Sequence, residues 1–538
     1  MSASNEKPKV YIIGVGMTKF TKPGSVPNWD YPDMVKEAVN KALLDAKLQY
    51  SDVEQAAVGY LYGGTCCGQR ALYEIGLTGI PIYNLNNACA SGSTAVYLSK
   101  LCIEGGHVNV ALAVGFEKMK SGSLEAMEKL DDRTHALERH INVISTTRGL
   151  LPAPLMAQMF ANAGREHMDK YGTKREHFAK IAQKNHRHSI NNPNSQIQKE
   201  YSSDEILNAR VIHDFMGLLE CSPTSDGAAA VILCSEQFLK KSLHLYKQAV
   251  EIIGAELGTD EPSVFAEHSS LKMIGFDMIR KLSNRLYQKT GLTPNDVQVI
   301  ELHDCFAPNE LISYEALGLC PIGKGGDIVD KGDNTYGGKW VINPSGGLIS
   351  KGHPIGATGV AQVVELSLQL RGIAGARQVP NCKVALQHNI GIGGAGMVAL
   401  YRLAQLSSPE NVINAKVPVK KIFLSDAIFD GIRERIKTEK DLSQTINSSF
   451  RFILTGPDNA VKKWVVDCKV TPPTIIEMGE GQVDVEMTMK DSDFVKIVTG
   501  KLRPDQAFLQ RKLKIKGNLA KAMKLRTLVK PELFKAKL

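Results

Sequence analysis

The sequence predicts an α/β protein: a layered domain built on a mainly parallel sheet over residues 8–405, followed by a small α+β unit over residues 422–538. Three observations carry this. Strand and helix patterns alternate from the amino end, the same texture returns after a polar interruption, and periodicity collapses in "LSSPENVINAKVPVKK", residues 406–421, which reads as a linker.

Taken in order, "KVYIIGVG" is a β-branched apolar run, and "DMVKEAVNKALLDAK" spaces Val35, Ala38, Val39, Ala42, Leu43 and Ala46 along one helical face. "VEQAAVGYLYG" returns as a strand. A helix after Cys89 ends at Gly105 and Gly106, and the strand "VNVALAVGFE" follows. Residues 118–210 turn polar, with His135, His140, His167, His177, His186 and His188 at no repeated ligand spacing. We read this stretch as an inserted helical and loop subdomain with solvated histidines. The α/β texture resumes at "SPTSDGAAAVILCS" and again from "VQVIELHDCF" to "GGAGMVALY". "NNACASGSTAV" and "NPSGGLISKGHPIGATGV" echo each other as small-residue turns entering apolar helices, which two similar halves, 8–240 and 245–405, meeting at a central site would explain. Beyond the linker we expect a long amphipathic helix over 425–445, then strands "FRFILT" and "KKWVVDCK" around the turn "GPDN". The alternating strand "VDVEMTMK", two short helices, the strand "KLKIK" and a closing helix complete the unit.

Composition narrows the function classes. The chain of 538 residues is 43% hydrophobic and 22% charged, and no apolar run reaches the ~18 residues of a membrane-spanning helix. The opening "MSASNEKPKV" has neither an apolar signal core nor an arginine-rich presequence, so we expect no secretory or import leader there. Ten cysteines without scaffold spacing or a CxxC pair suit a reducing compartment and suggest no metal site. Of the net charge of +9, residues 411–538 carry +10, with 25 Lys and Arg against 15 Asp and Glu; the rest is near neutral, and no nucleic-acid partner is expected.

Four stretches carry chemistry. If "ASGSTAVYLSKLC" is helical, Cys89 lies in its first turn, where the helix dipole lowers a thiol's pKa. His353 stands in the glycine-rich loop "GGLISKGHPIGATG". "ELHDCFAPNE" sets His303 and Cys305 two residues apart, on one side of a strand that continues that far. "HNIGIGGAG" offers a glycine loop with backbone N–H donors for an oxyanion. Singly, each admits a structural role: a buried thiol, a strand cap, a histidine bonded to a carbonyl.

In this order and at these separations, "NNACASGS", "SPTSDGAAAVILCS", "HDCF" and "KGHPIGATG" resemble a thiolase over roughly residues 8–405. The HDCF form joined to a lipid-binding domain of the sterol carrier protein 2 type is similar to a known fusion family. The resemblance implies that Cys89 is the nucleophile that takes up the acyl group and His353 the base that activates it. Most thiolases carry asparagine where His303 stands, alanine where Cys305 stands, and an acid/base cysteine in a later CxG turn; gap-free alignment puts Gly391 there. Cys305 is then left to move the protons that thiolysis requires. His303 and His353 would hold the thioester oxygen where enolate charge develops, and the backbone N–H groups of Cys89 and Gly393 the other oxyanion, with His388 and Asn389 near the site. The expected activity is a 3-ketoacyl-CoA thiolase releasing acetyl-CoA or propanoyl-CoA, with branched or sterol side-chain substrates. CoA and acyl-CoA are its substrates, no metal or redox cofactor is implied, and a homodimer is expected. The competing expectation is a lipid carrier with a non-catalytic thiolase scaffold.

At the carboxyl end, Phe494, Val495, Ile497 and Val498 cluster on one short helix. The sterol carrier protein 2 resemblance implies a tunnel for sterols or fatty acyl lipids, with Met487, Met489, Phe508 and Met523 as lining candidates. "RKLKIKGNLAKAMKLRTLVK" carries eight positive charges and no acid, so an anionic membrane surface is a candidate partner. The final Ala536, Lys537 and Leu538 are a variant of the SKL address, implying a peroxisomal import receptor and the peroxisome.

Overall fold

The computed structural model describes residues 8–120, 122 and 136–405, and in the remainder residues 423, 425, 428–429, 431–433, 435, 439, 442–456, 461–470, 473–477, 482–522, 524 and 527. It divides into two compact units, Met1–Ser408 and Pro409–Leu538, each described by itself. His135, the linker 406–421, Met523 and the terminal Ala536, Lys537 and Leu538 lie outside the described residues.

The strands of the first unit are β1 (Val10–Met17), β2 (Gln55–Gly59), β3 (Ile82–Leu85), β4 (Val110–Glu117), a short hairpin β5 (Val211–His213) and β6 (Met216–Gly217), β7 (Gly227–Ser235), β8 (Val250–Gly258), β9 (Val299–Glu301), β10 (Val341–Ile342), β11 (Val384–Gly391) and β12 (Ala395–Leu403). All but the hairpin join one sheet in the order β10-β9-β11-β12-β8-β1-β7-β4-β2-β3. Counted outward from the central β1–β8 pair, each half places its first strand innermost, then its fifth, fourth, second and third. The two halves repeat one topology.

The sheet is mixed rather than mainly parallel. β2 runs parallel to β3 and β4, and β9 to β10 and β11, whereas β1 with β7 and β8, β4 with β7, and β12 with β8 and β11 are antiparallel. Strand and helix alternation reports only the crossovers. Each half's last strand returns instead by a route the pattern hides: the long insertion before β7, and a tight glycine turn between β11 and β12. β4 and β7 are buried along their whole length, which is why "VALAVGFE" and "GAAAVILCS" read as unbroken apolar runs.

Two helices, Ser91–Glu104 and Thr358–Leu370, pack against each other inside this unit. Their starts meet at glycines. A side chain at Gly92 would strike the Gly356 carbonyl, and one at Gly359 would strike Ser93, so only residues without a Cβ allow this approach. Cys89 stands just before the first helix and His353 just before the second.

The insertion holds helices Glu138–Thr147, Leu155–Tyr171, Arg175–Ser189 and Ser203–Leu207. Its histidines are not solvated: His140, His167, His177, His186 and His188 are all buried. Ring partners explain the burial. His167 meets Thr173 at 2.7 Å and Glu315 at 2.9 Å, His186 meets Ser350 and the Leu219 carbonyl, and His188 meets the Asn343 carbonyl and Thr335. Glu315, Ser350, Asn343 and Thr335 belong to the second half, and through them the histidines tie the insertion to it.

The second unit has the five-stranded sheet β15-β14-β13-β16-β17, with β13 (Ser449–Thr455), β14 (Val461–Asp467), β15 (Thr474–Glu477), β16 (Val485–Lys490) and β17 (Leu513–Gly517). β15 was not expected; the others follow the sequence reading, as do the short helices Asp491–Val498 and Pro504–Leu509. Of the expected long helix, residues 428–429, 431–433, 435 and Leu442–Ile446 are described and helical. Phe429 stacks on Trp464 at 4.6 Å and on Phe494 at 5.4 Å, over a sheet face that buries Phe452, Met487 and Met489.

Candidate active site

Cys89 is presented by a turn rather than by the helix itself. Ala88 takes a positive φ of 47°, the Ser91 hydroxyl donates to the Ala88 carbonyl at 2.7 Å, and the helix begins only at Ser91. The predicted lowering of the thiol pKa does not occur. Burial, reinforced by the Glu117 carboxylate, pushes Cys89 up to about 12, against which its own backbone N–H pulls only partly. Cys89 rests as a thiol. Glu117 itself is pushed up to about 7 by burial while accepting N–H groups from Leu61, Tyr62 and Gly356, so it ties two loops together behind the site.

His353 has its backbone N–H on the Ser225 hydroxyl at 3.0 Å. Thr358 donates its hydroxyl proton to the Pro354 carbonyl, so the 2.6 Å bond between Thr358 and His353 Nδ1 has the ring as donor. Nε2 therefore keeps its lone pair, and it is buried without a hydrogen-bond partner among the described residues. Burial depresses His353 to about 3.

β9 ends at Glu301, so strand alternation does not place His303 and Cys305. A pinned loop does. Asn343 accepts the Leu302 N–H at 2.9 Å, and Asp304 accepts the N–H groups of Leu348 and Ile349 and the Asn185 amide. Asp304 is thus the structural member of "HDCF". His303 lies edge-on to His353 with ring centroids 5.2 Å apart; burial, then His353 and His388, push it well below the ordinary histidine range. Cys305 is buried, its thiol pushed up by desolvation first and then by the neighbouring Cys89.

Donor atoms of Cys89, His303 and His353 lie within 4.8 Å of one another. That spacing would admit a soft divalent ion, but a protonated thiol and two neutral rings suit proton transfer and hydrogen bonding to a substrate oxygen equally well. His388 accepts the His303 backbone N–H at 3.3 Å through Nδ1, and Asn389 donates to His303 Nδ1 at 2.8 Å. Gly393 stands at the exposed turn between β11 and β12 with φ +110°, whereas Gly391 is the glycine that lies against Cys89. A side chain at Gly391 would strike the Asn87 carbonyl, so this position has no room for a cysteine. Sequence reasoning missed Thr358, Glu117 and Ser93; Thr358 and Ser93 sit inside the quoted motifs, five residues after His353 and four after Cys89.

The family model described as "Thiolase, N-terminal domain" matches residues 10–237, "Thiolase C-terminal domain-like" matches 264–400, and "SCP-2 sterol transfer family" matches 429–530. "Sterol carrier protein 2" of Homo sapiens is 52% identical over 542 residues, covering 98% of both chains. The chain belongs to the thiolase family. Its thiolase part is joined to a sterol-transfer domain, as in that relative. "Non-specific lipid-transfer protein-like 2" of Caenorhabditis elegans is 72% identical over 398 residues, covering 74% of this chain and 97% of the relative. Among solved structures, the "Ltp2-ChsH2(DUF35) aldolase" shares the thiolase fold with a TM-score of 0.62 at 22% identity, over 73% of this chain and 98% of that one. The thiolase unit is thus an acyltransferase built on a duplicated α/β half, and the second unit a lipid-binding domain.

Two lipid candidates, Met487 and Met489, are buried beside the aromatic stack. Phe508 is not: only Ala507 of its short helix is buried, and Phe508 and the adjacent Leu509 are 48% and 80% exposed.

Proposed function

We propose that this chain is a 3-ketoacyl-CoA thiolase, transferring an acyl group from 3-oxoacyl-CoA to CoA through an acyl-enzyme on Cys89. The observation that carries it is the convergence of Cys89, His303 and the partnerless Nε2 of His353. His353 takes the Cys89 proton as the sulfur attacks the 3-oxo carbon, since a thiol at about 12 supplies no thiolate in advance. Cleavage of the bond between C2 and C3 leaves the acyl group on sulfur and an acetyl-CoA enolate, or a propanoyl-CoA enolate when the substrate bears a 2-methyl branch. His303 and protonated His353 hold the enolate oxygen, the N–H groups of Cys89 and Gly393 the other oxyanion, and Cys305 gives its proton to the carbanionic carbon. Cys305 then recovers a proton from the incoming CoA thiol, whose sulfur takes the acyl group while the departing Cys89 sulfur regains its proton from His353. On this reading CoA is a substrate and no metal or redox group takes part. The test is cleavage of straight-chain and 2-methyl-branched 3-oxoacyl-CoA. CoA-dependent release of acetyl-CoA and propanoyl-CoA is expected; cleavage that ignores CoA would favour an aldolase, and no cleavage with lipid transfer intact would favour a carrier on a silent scaffold.

The remaining assignments are part of the same proposal. A homodimer forms through the free edge of β3, whose half-exposed residues lead directly into the Cys89 turn. Ala536, Lys537 and Leu538 engage the import receptor that delivers the chain to the peroxisome. The second unit carries a sterol or fatty acyl lipid against Met487 and Met489. Its exposed Phe508 and Leu509 stand among exposed Lys501, Arg511, Lys512, Lys514 and Lys516, an arrangement suited to an anionic membrane surface. Binding to phosphatidylserine vesicles should weaken as salt rises and fall further in a Phe508→Ala/Leu509→Ala variant; binding indifferent to both would contradict this.

A further inference from the structure

His303 is held from behind by a continuous chain of buried hydrogen bonds that crosses between the two halves. Tyr401 donates to Gln387 Oε1 at 2.6 Å. Gln387 Nε2 donates to the Gly359 carbonyl at 2.7 Å, with the Gln362 Oε1 at 3.2 Å and the Ser93 hydroxyl at 3.1 Å. Ser93 donates to Asn389 Oδ1 at 2.9 Å, and Asn389 Nδ2 reaches His303 Nδ1 at 2.8 Å. Ser93, Gln387, Asn389 and Tyr401 are completely buried.

The direction of donation runs one way along this chain. A carbonyl such as that of Gly359 only accepts, so it turns the Gln387 nitrogen inward and leaves the amide oxygen for Tyr401. The Ser93 hydroxyl, approached by that nitrogen, passes its own proton to the Asn389 oxygen. The Asn389 nitrogen then faces the ring, and an amide N–H meets only an unprotonated ring nitrogen. We infer that Tyr401, Gln387, Ser93 and Asn389 are positioning residues that hold His303 in its Nε2–H tautomer, so that the ring presents a fixed proton donor to the substrate oxygen on which enolate charge develops. The inference rests on the thiolase reading above. It makes the two site histidines opposites: Thr358 holds His353 as an acceptor at Nε2, and the relay holds His303 as a donor. It also gives the nucleophile's own helix, through Ser93, a hand in orienting the enolate site.

Asn389→Asp separates this role from a structural one. A carboxylate accepts from Nδ1–H, so the neutral ring would turn a lone pair toward the enolate oxygen. The expected result at pH 8 is a ~100-fold loss in exchange of the methyl protons of acetyl-CoA with deuterium oxide, which needs an enolate but no acyl transfer. Acylation of Cys89 by a simple saturated acyl-CoA should stay within about threefold of wild type. Exchange should recover on acidification, as the carboxylate-paired ring gains a second proton and regains Nε2–H, a recovery absent from wild type. Ser93→Ala, which frees the Asn389 amide to turn, should slow exchange by about tenfold with the same sparing of acylation. Exchange within about threefold of wild type in both variants, or equal losses in exchange and acylation without recovery at low pH, would overturn the inference. If wild type shows neither exchange nor acylation, the thiolase reading itself fails and takes the inference with it.

Discussion

At the scale of single residues, the site is built from groups kept neutral by burial and made useful by what they face. Cys89 shows how far position overrides local rule: a cysteine before a helix start should be acidic, yet desolvation and Glu117 outweigh the backbone and hold it protonated. In the proposed reaction the proton leaves as the sulfur attacks, so the Nε2 of His353, without a hydrogen-bond partner among the described residues, matters more than the helix. In the proposed reaction Cys305 is the second thiol, and a side chain at Gly391 would strike the Asn87 carbonyl. Cys305→Ala should therefore keep its fold, with an unchanged circular dichroism spectrum, while steady-state thiolysis falls by ~100-fold or more. Activity within about threefold of wild type would remove Cys305 from the proton path. Cys89, His303, Cys305 and His353 stood out in the sequence only as a set of motifs in matching order, since singly each admits a structural role, and the structure brings Cys89, His303 and His353 together. Thr358 and the Asn389 relay were not legible, because a hydroxyl or amide shows its direction only once its partners are in place.

At the scale of elements, two helix starts and one pinned loop assemble the site. Helices Ser91–Glu104 and Thr358–Leu370 approach closely because Gly92 and Gly359 lack side chains, and this approach sets Cys89 beside His353. Gly359→Ala should force the helices apart at Ser93, costing about 1–3 kcal/mol of stability in denaturant titration and a larger share of activity. Unchanged stability and activity would mean that the glycine contact is not what sets the spacing. Helix and strand positions were largely legible from period and β-branching, as in β4 and β7. Strand directions were not, since an antiparallel return after a long insertion leaves no local trace. The insertion's histidines were misread for a related reason: on a helix the residue type looks polar, and only the partners on other elements, such as Glu315 for His167, let it be buried.

At the scale of the whole molecule, burial of so many neutral histidines makes stability depend on pH. His186 is depressed to about 4, and His188, His353 and His388 to about 3, from an ordinary value of 6.5. Between those values the unfolded chain binds more protons than the folded one, so stability is present above pH 6.5 and is lost as pH falls toward 3, by up to ~1.4 kcal/mol per unit for each ring. Glu117 and Glu220, both raised to about 7 from 4.5, act in the opposite sense and offset part of this between pH 4.5 and 7. A melting temperature that drops steeply from pH 6 to pH 4 is expected; one that is flat or rises over that range would contradict the buried, neutral state of these rings. The duplicated half, repeated strand for strand, sets the two active-site turns face to face, and the sequence echo between them was the visible part of that symmetry. Whether the site does the chemistry proposed comes down to one mapping experiment: mix the enzyme with a 3-oxoacyl-CoA without free CoA, quench, and locate the acyl group by peptide mass spectrometry. The acyl group is predicted on Cys89, discharged on adding CoA and absent from Cys89→Ser; an acyl group on Cys305 or any other residue, or one that CoA does not discharge, would contradict it.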